Sequence, residues 1–397
     1  MQNSLNVSRK DRGFKVQILT SAILLFLCAN PYFLWHTPLV SVALGLLCIV
    51  SFRYYSFKQE YFLLGTLFFI IYLTYVIKSE FSFWGAMSVI LIVPFFFMKA
   101  GYVEVVYDKF IVVLAILLIP SILQYFLNTF IGIPFPYKII PPYEELKPEM
   151  YHQYTFFVVN DQLRLLPRFF SYFDEPGVIG TLCGMILLSK KFNLSHWSSV
   201  VLLISGILSL SLAFFVFVAV GVLILDYKHK FWVVLGLISL VVVLSQIEYL
   251  EPFFMRFAFE DNQLIGDNRT TDSFNTWFAN FMNSSDVWLG KGRGYAAYMN
   301  EGGSSYKNLI VDYGIIFFIF YILIFCFKAI KKIGLSREFF LWIALFGGCM
   351  YQRPSINRPE YVFVWLAAIY LLSNKEYTVS HKKEKMGRIL KKTSQEL

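Results

Sequence analysis

Charge is scarce in this sequence: Asp, Glu, Lys and Arg make up 15% of its 397 residues, where a soluble domain carries about a quarter. The predicted helices hold no charged residue near their middles, apart from ambiguous ends such as Asp312 and Glu360. A proton- or ion-coupled transporter buries such groups along its pathway, so that class is disfavoured and chemistry is expected at one face. Cysteine is sparse too. Cys28, Cys48, Cys183, Cys326 and Cys349 are scattered, with no Cys-x-x-Cys and no histidine at ligand spacing; this points to packing, not to a disulfide framework or zinc. His36 and His152 are lone loop histidines without a triad or metal partner. The predicted external loops contain no Asp-x-Asp pair, and Asp174-Glu175 has no evident third ligand for a divalent ion. No metal or other cofactor is therefore expected. A GxxxxGK[ST] phosphate loop, a long-period repeat and low-complexity segments are all missing as well.

Apolar residues fill the chain, at 57% hydrophobic and a mean hydropathy of +0.59. They run in long uninterrupted segments bounded by charges, not in the alternating ten-residue segments of a membrane β-barrel. The predicted fold class is an all-α integral membrane protein, one polytopic domain (1–397) of about twelve transmembrane helices. The helices are placed near 16–35, 38–52, 61–77, 82–98, 109–128, 177–189, 196–209, 211–226, 231–247, 306–327, 338–351 and 360–373. Residues 196–226 also suit one long helix, but Lys190-Lys191 and Lys228-His229-Lys230 both look cytoplasmic, and two short crossings satisfy that. The first segment lacks a small-residue cleavage site before Pro31, so a retained helix is expected.

The net charge of +9 invites a nucleic-acid reading, but its placement argues otherwise. Arg9, Lys10, Arg12 and Lys15 precede the first helix, and a basic tail (375–397) follows the last. Such flanking clusters set topology and also suit anionic lipid headgroups. Both termini, Arg53 with Lys58, Lys99 with Lys109, and Lys328 to Arg337 are expected on the cytoplasmic side of the cytoplasmic (inner) membrane. Two large extracytoplasmic loops remain, 129–176 with six acidic and four basic residues and 248–305 with eight and four.

The first loop carries Arg164, Arg168, Asp174 and Glu175 ahead of Pro176. Arginine presents a fixed fork that matches phosphate and never deprotonates, and a carboxylate at a helix start is favoured by the dipole. The same residues suit a surface ion pair between Arg168 and Glu175, or a plain helix cap before Pro176. The second loop carries Arg256, Arg269, Trp277 and then Lys291-Gly292-Arg293-Gly294. A glycine-rich turn with two cations suits a phosphate cradle and equally suits ordinary turn chemistry. Arg353 and Arg358 form two Arg-Pro pairs in a short external loop, against the positive-inside trend.

Taken in order, these motifs resemble a family. Arg168 before Glu175-Pro176, Arg269 followed by Trp277, the Leu289-Gly-x-Gly-x-Gly294 turn and Asn308-x-x-x-Asp312-Tyr313-Gly314-Ile315-Ile316 are similar to the Wzy-type O-antigen polymerase and O-antigen ligase superfamily. The resemblance covers roughly residues 160–320 and the helix layout. It implies a GT-C-like, metal-independent membrane glycosyltransferase acting on polyprenyl-diphosphate-linked oligosaccharide, with a chain-length regulator and a flippase as protein partners. By position it implies roles for Arg168 and Glu175 in the first loop and for Arg269 and Arg293 in the second. Together with the placement of the other loop cations, Arg168, Glu175 and Arg269 are expected to be catalytic, and Lys291, Arg293, Arg353 and Arg358 to bind the substrate. Ligases of the superfamily carry a His-Asn pair before the late helix, and here that stretch reads Gly302-Gly303-Ser304-Ser305. Polymerisation of repeat units for O-antigen, capsule or exopolysaccharide is thereby favoured over ligation, and a lipid-linked oligosaccharide flippase is the other alternative. The expected layout has a direct test. In a background without native cysteines, Tyr143→Cys and Asn283→Cys should react with a membrane-impermeant reagent in intact cells; protection of either until lysis would overturn it.

Overall fold

A computed structural model describes residues 12–78, 82–142, 150–160, 168–225, 259–260, 263–264, 270–300, 303 and 305–374. The predicted helix at 231–247, the tail at 375–397, and Arg164, Arg256 and Arg269 lie outside these residues. The described chain is mainly helical: α1 (Arg12–Cys28), α2 (Leu39–Ser51), α3 (Gln59–Ile77), α4 (Phe83–Ile90), α5 (Ala100–Thr129), α6 (Pro176–Ser189), α7 (Trp197–Leu208), α8 (Leu212–Ile224), α9 (Asp272–Phe281), α10 (Tyr295–Met299), α11 (Tyr306–Ile333), α12 (Arg337–Gln352) and α13 (Pro359–Ser373). The helices α3, α5 and α11 are long and apolar enough to cross a membrane. Their outer faces expose residues such as Phe62, Ile70, Leu123, Ile319 and Phe327, an apolar exterior that suits lipid and not water.

Local chemistry sets the helix ends. The segment predicted at 16–35 stops at Cys28, because Pro31 follows and Asn30 turns the chain with a positive φ of 55°. The segment predicted at 82–98 ends as an α-helix at Ile90, four residues before Pro94, whose ring would meet that carbonyl; a 3-10 turn over Val93–Phe97 completes it. The segment predicted at 109–128 begins instead at Ala100, since Glu104 and Asp108 find lysines beside them. Residues 196–226 form two helices, as expected, broken where Leu210 adopts a φ of 46°.

The innermost helix is α6, all fourteen residues of which are buried; α13 is buried from Pro359 to Leu372. At about 1.5 Å per residue, helices of this length fall short of a hydrocarbon core of about 30 Å. Their ends are enclosed by protein, where backbone groups have to be satisfied internally. Close approach of α6 to its neighbours uses glycine. Phe217 of α8 lies in a notch between Gly184 of α6 and Gly348 of α12, where added Cβ atoms would come within 2.6 Å and 2.8 Å of its ring. Small residues serve the same purpose in membrane helix pairs generally.

Charged pairs fix which helix ends lie together. Lys190 meets Asp108, Lys191 meets Glu338 at 3.1 Å, and Lys331 meets Glu60 at 3.4 Å. One end of the bundle thus gathers the start of α3, the first turns of α5, the end of α6, the end of α11 and the start of α12. The opposite end carries the loops. Residues 129–176 contain a small antiparallel sheet of β1 (Lys138–Ile140), β2 (Tyr151–Gln153) and β3 (Val158–Asn160), and a two-residue pair, β4 (Phe259–Glu260) with β5 (Gln263–Leu264), lies in the second loop. A separate small core of Phe274, Phe281, Val287, Ala296, Ile310 and Val311 lies under that loop.

The Phe217 notch makes a prediction. Gly184→Val should overpack it and lower the unfolding midpoint of the detergent-solubilised protein, by on the order of 1–3 kcal/mol. Adding Phe217→Leu should recover part of that loss; a double variant no better than Gly184→Val would show that the ring is not what Gly184 accommodates.

Candidate functional site

Two buried helices begin in the same way at the loop end of the bundle. The α6 helix starts at Pro176 with Glu175 as its N-cap, and α13 starts at Pro359 with Arg358 as its N-cap. Proline suits the first helical position because the N–H it lacks has no partner there. It also holds the residue before it extended, as seen at Glu175 (φ −147°, ψ 144°) and Arg358 (φ −92°, ψ 112°). A charged side chain is thereby turned out from each helix entry.

The chain around Asp174-Glu175 is pinned by its backbone. Tyr172 accepts from the Tyr32 N–H at 2.8 Å, Ser171 accepts from the Val158 N–H at 2.9 Å, and the Phe169 N–H donates to Leu208 at 3.1 Å. The Tyr151 hydroxyl donates to the Asp174 carbonyl at 2.7 Å. The loop between α12 and α13 is held from α3, where the Tyr72 hydroxyl donates to the Ile356 carbonyl at 2.8 Å.

These anchors bring five charged side chains together. The Arg353 guanidinium donates through Nη2 to Glu175 Oε2. It lies so close to Gly177 that a side chain at that position would collide with it. Burial works against its charge, but Glu175, Tyr361 and Asp174 more than offset this and its pKa is raised. Arg358 stands 3.8 Å from a carboxylate oxygen of Asp174 and 3.8 Å from one of Glu360. The Glu175 side chain is 30% exposed, whereas those of Asp174 and Glu360 are 5% and 1% exposed. Glu175 is therefore the accessible carboxylate of the cluster. Chemically, an accessible carboxylate beside two forked cations suits proton transfer at an anion-binding site.

No family model, curated protein or solved structure matches this chain.

The candidate residues separate into groups. Glu175, Arg353 and Arg358 come together, with Asp174 and Glu360. Arg168 meets backbone: its Nε donates to Ser209 O at 3.1 Å and its Nη2 to Leu210 O at 3.0 Å, the carbonyls released where α7 gives way to α8. Lys291 pairs with Asp286 at 2.7 Å, which raises its pKa. The amides of the glycine turn are occupied from within the chain. Gly294 N and Ala296 N donate to the Asp312 carboxylate at 3.0 and 2.9 Å, and Lys291 N and Gly292 N donate to the Val311 and Asp312 carbonyls at 2.7 and 2.9 Å. Arg293 lies in the field of Asp312 and of Tyr75. Arg269 lies outside the described residues.

Two participants, Gly177 and Tyr361, escaped the sequence reading, and Asp312 entered it only as a helix end and as part of the late-helix motif. The repeated entry, an acidic or basic residue before proline at Glu175-Pro176 and Arg358-Pro359, was the signal that linked two of them.

Pairing can be measured. Arg353→Ala leaves Glu175 without its guanidinium and should destabilise the solubilised protein by on the order of 3 kcal/mol. Glu175→Gln in the Arg353→Ala background should then add little, as a double-mutant cycle reads it; fully additive losses would show the two side chains to be independent.

Proposed function

We propose that this chain is a membrane polymerase that joins polyprenyl-diphosphate-linked oligosaccharide repeat units into O-antigen, capsular or exopolysaccharide. The single observation that carries the reading furthest is the accessible Glu175 at the entry of α6, coupled to Arg353 and flanked by Arg358. The motif order from Arg168 to Gly314 supports it. In the proposed reaction the acceptor hydroxyl gives its proton to Glu175 and its oxygen bonds to the donor's anomeric carbon. The bond from that carbon to the diphosphate breaks, and the polyprenyl diphosphate leaves with the electron pair. The donor brings its own leaving group, so the chain needs to supply only a base and cations that stabilise the departing charge.

Arg353 orients Glu175. Arg358, held at longer range by two carboxylates, is assigned to the diphosphate, with Arg269 and Arg293 from the second loop. Arg168 is assigned to holding the α7–α8 break and thus the α6 entry. We place about twelve spans in the cytoplasmic membrane, in a GT-C-like arrangement, with the lysine-bearing end of the bundle and both termini in the cytoplasm. The Glu175 cluster then faces outwards.

Lipid-linked glycan ladders test the assignment. Glu175→Gln and Arg358→Lys should each lose about a hundredfold in polymer formation while protein levels hold; this corresponds to roughly 3 kcal/mol of transition-state stabilisation. Arg164→Lys serves as a nearby control that keeps its ladder. Full-length ladders from both Glu175→Gln and Arg358→Lys would sink the proposal.

A further inference from the structure

A second feature lies at the lysine-bearing end of the bundle. Between α3 and α11 runs a groove of about 600 Å³. Leu63, Leu64 and Leu67 form one wall and Phe320, Leu323 and Phe327 the other, while Lys328, Lys331 and Lys332 close one end. Alkyl walls with a cationic end fit an amphiphile with an anionic head.

Lys328 gives this shape a specific chemistry. Its side chain is buried, with the residue 9% exposed, and its ammonium has no hydrogen-bond partner among the described residues. It sits among three rings, 5.8 Å from the centroid of Tyr61, 5.5 Å from Phe96 and 5.3 Å from Tyr370. Aromatic faces attract a cation but accept no ammonium hydrogen bond of ordinary strength. A buried charge without a counter-ion is strongly unfavourable. Among the described residues nearby, Glu60 also lines the groove but pairs with Lys331 at 3.4 Å, and Glu104 lies in the field of Lys332 and Lys190. Lys328, Tyr61 and Tyr370 all line the groove, with the ammonium just beneath its surface, so an anion seated there lies over Lys328 with Lys331 and Lys332 beside it.

We propose that this groove binds an anionic phospholipid, its phosphate on Lys328 and one acyl chain laid between α3 and α11. A phosphate diester supplies acceptor oxygens to an ammonium that lacks them, and its chain covers apolar walls that a free anion would leave bare. Given the orientation proposed above, the lipid comes from the inner leaflet. The site itself rests on the groove and the caged lysine, not on any reaction.

Native mass spectrometry of the full-length protein in detergent tests this, with phosphatidylglycerol as the probe. One phosphatidylglycerol should be retained at least tenfold more tightly than phosphatidylcholine of the same chains. Lys328→Met, which fills the aromatic cage without charge, should lose at least tenfold in that retention. Lys328→Arg should keep most of it, and Lys109→Met, an exposed lysine of α5, should leave it unchanged. Equal retention of the two lipids by the unaltered protein would overturn the proposal, and so would undiminished phosphatidylglycerol binding by Lys328→Met. Competition by inorganic phosphate at equal concentration would reassign the site to a free anion. A tenfold preference for a polyprenyl monophosphate would reassign it to that lipid.

Discussion

The ion pair between Glu175 and Arg353 joins the entry of α6 to the loop between α12 and α13, and much of the loop end is arranged around it. Since α6 is buried on all sides, its entry cannot rely on water. The positive end of its dipole favours an anion, and Glu175 supplies one as N-cap, yet its side chain accepts no hydrogen bond from the helix amides. The carboxylate is turned to the guanidinium instead. Arg353 can come this close only because Gly177 has no side chain in the way. In a low-dielectric setting such a pair adds little net stability over an apolar one, whereas half of it alone is strongly destabilising. Each member therefore fixes the position of the other.

The same need for internal satisfaction explains the other polar residues near this end. Where α7 gives way to α8 and where α11 breaks at Gly314, carbonyls are released, and each of these two breaks has its own donors. At the α7–α8 turn, Arg168 reaches two consecutive carbonyls with one planar fork, a geometry that a single ammonium does not reproduce. In α11, Gly314 leaves the helix with a φ of 88° and ψ of 161°. The amides of Lys291 and Gly292 bond the carbonyls of Val311 and Asp312 just before it. Gly290 and Gly314 meet backbone to backbone, where a Cβ on Gly290 would come within 2.5 Å of the Gly314 nitrogen. The glycine turn that reads as a phosphate cradle is thus closed by the chain's own aspartate.

Helices were legible where hydropathy alone decides them. Apolar runs between charges located every helix from α1 to α8 and from α11 to α13, and the flanking Lys190-Lys191 and Lys228-His229-Lys230 argued for two helices, α7 and α8, within 196–226. Ends were legible where proline acts locally, but their exact residues depend on Pro31 and Pro94 acting three or four residues upstream. The Gly314 break was not legible, because a single glycine in an apolar run looks like helix and only contact with Gly290 reveals otherwise. The partner of Glu175 was not legible either. Arg168 is near it in sequence, whereas Arg353 is 178 residues away, and no local pattern encodes a contact across that separation. What sequence did convey was the set of forked cations confined to loops; which carboxylate or carbonyl each would meet is a property of packing.

The charge balance at the two ends constrains what each can bind. At the lysine-bearing end, Lys190, Lys191 and Lys331 each have a carboxylate, whereas among the described residues Lys328 meets only rings. At the loop end, Asp174, Glu175 and Glu360 face Arg353 and Arg358, so the cluster itself carries no excess of positive charge. A diphosphate would not be drawn to such a site by its net field. It would have to displace a carboxylate from a guanidinium or meet cations brought by the second loop. Arg353 is poorly suited to the exchange, being buried against Gly177 and bonded to Glu175. Arg358 stands 3.8 Å from two carboxylates, and its side chain is 19% exposed against 11% for Arg353, so it is the more accessible of the two to an anion. A buried arginine that holds the carboxylate is thus distinct from a more accessible one beside it.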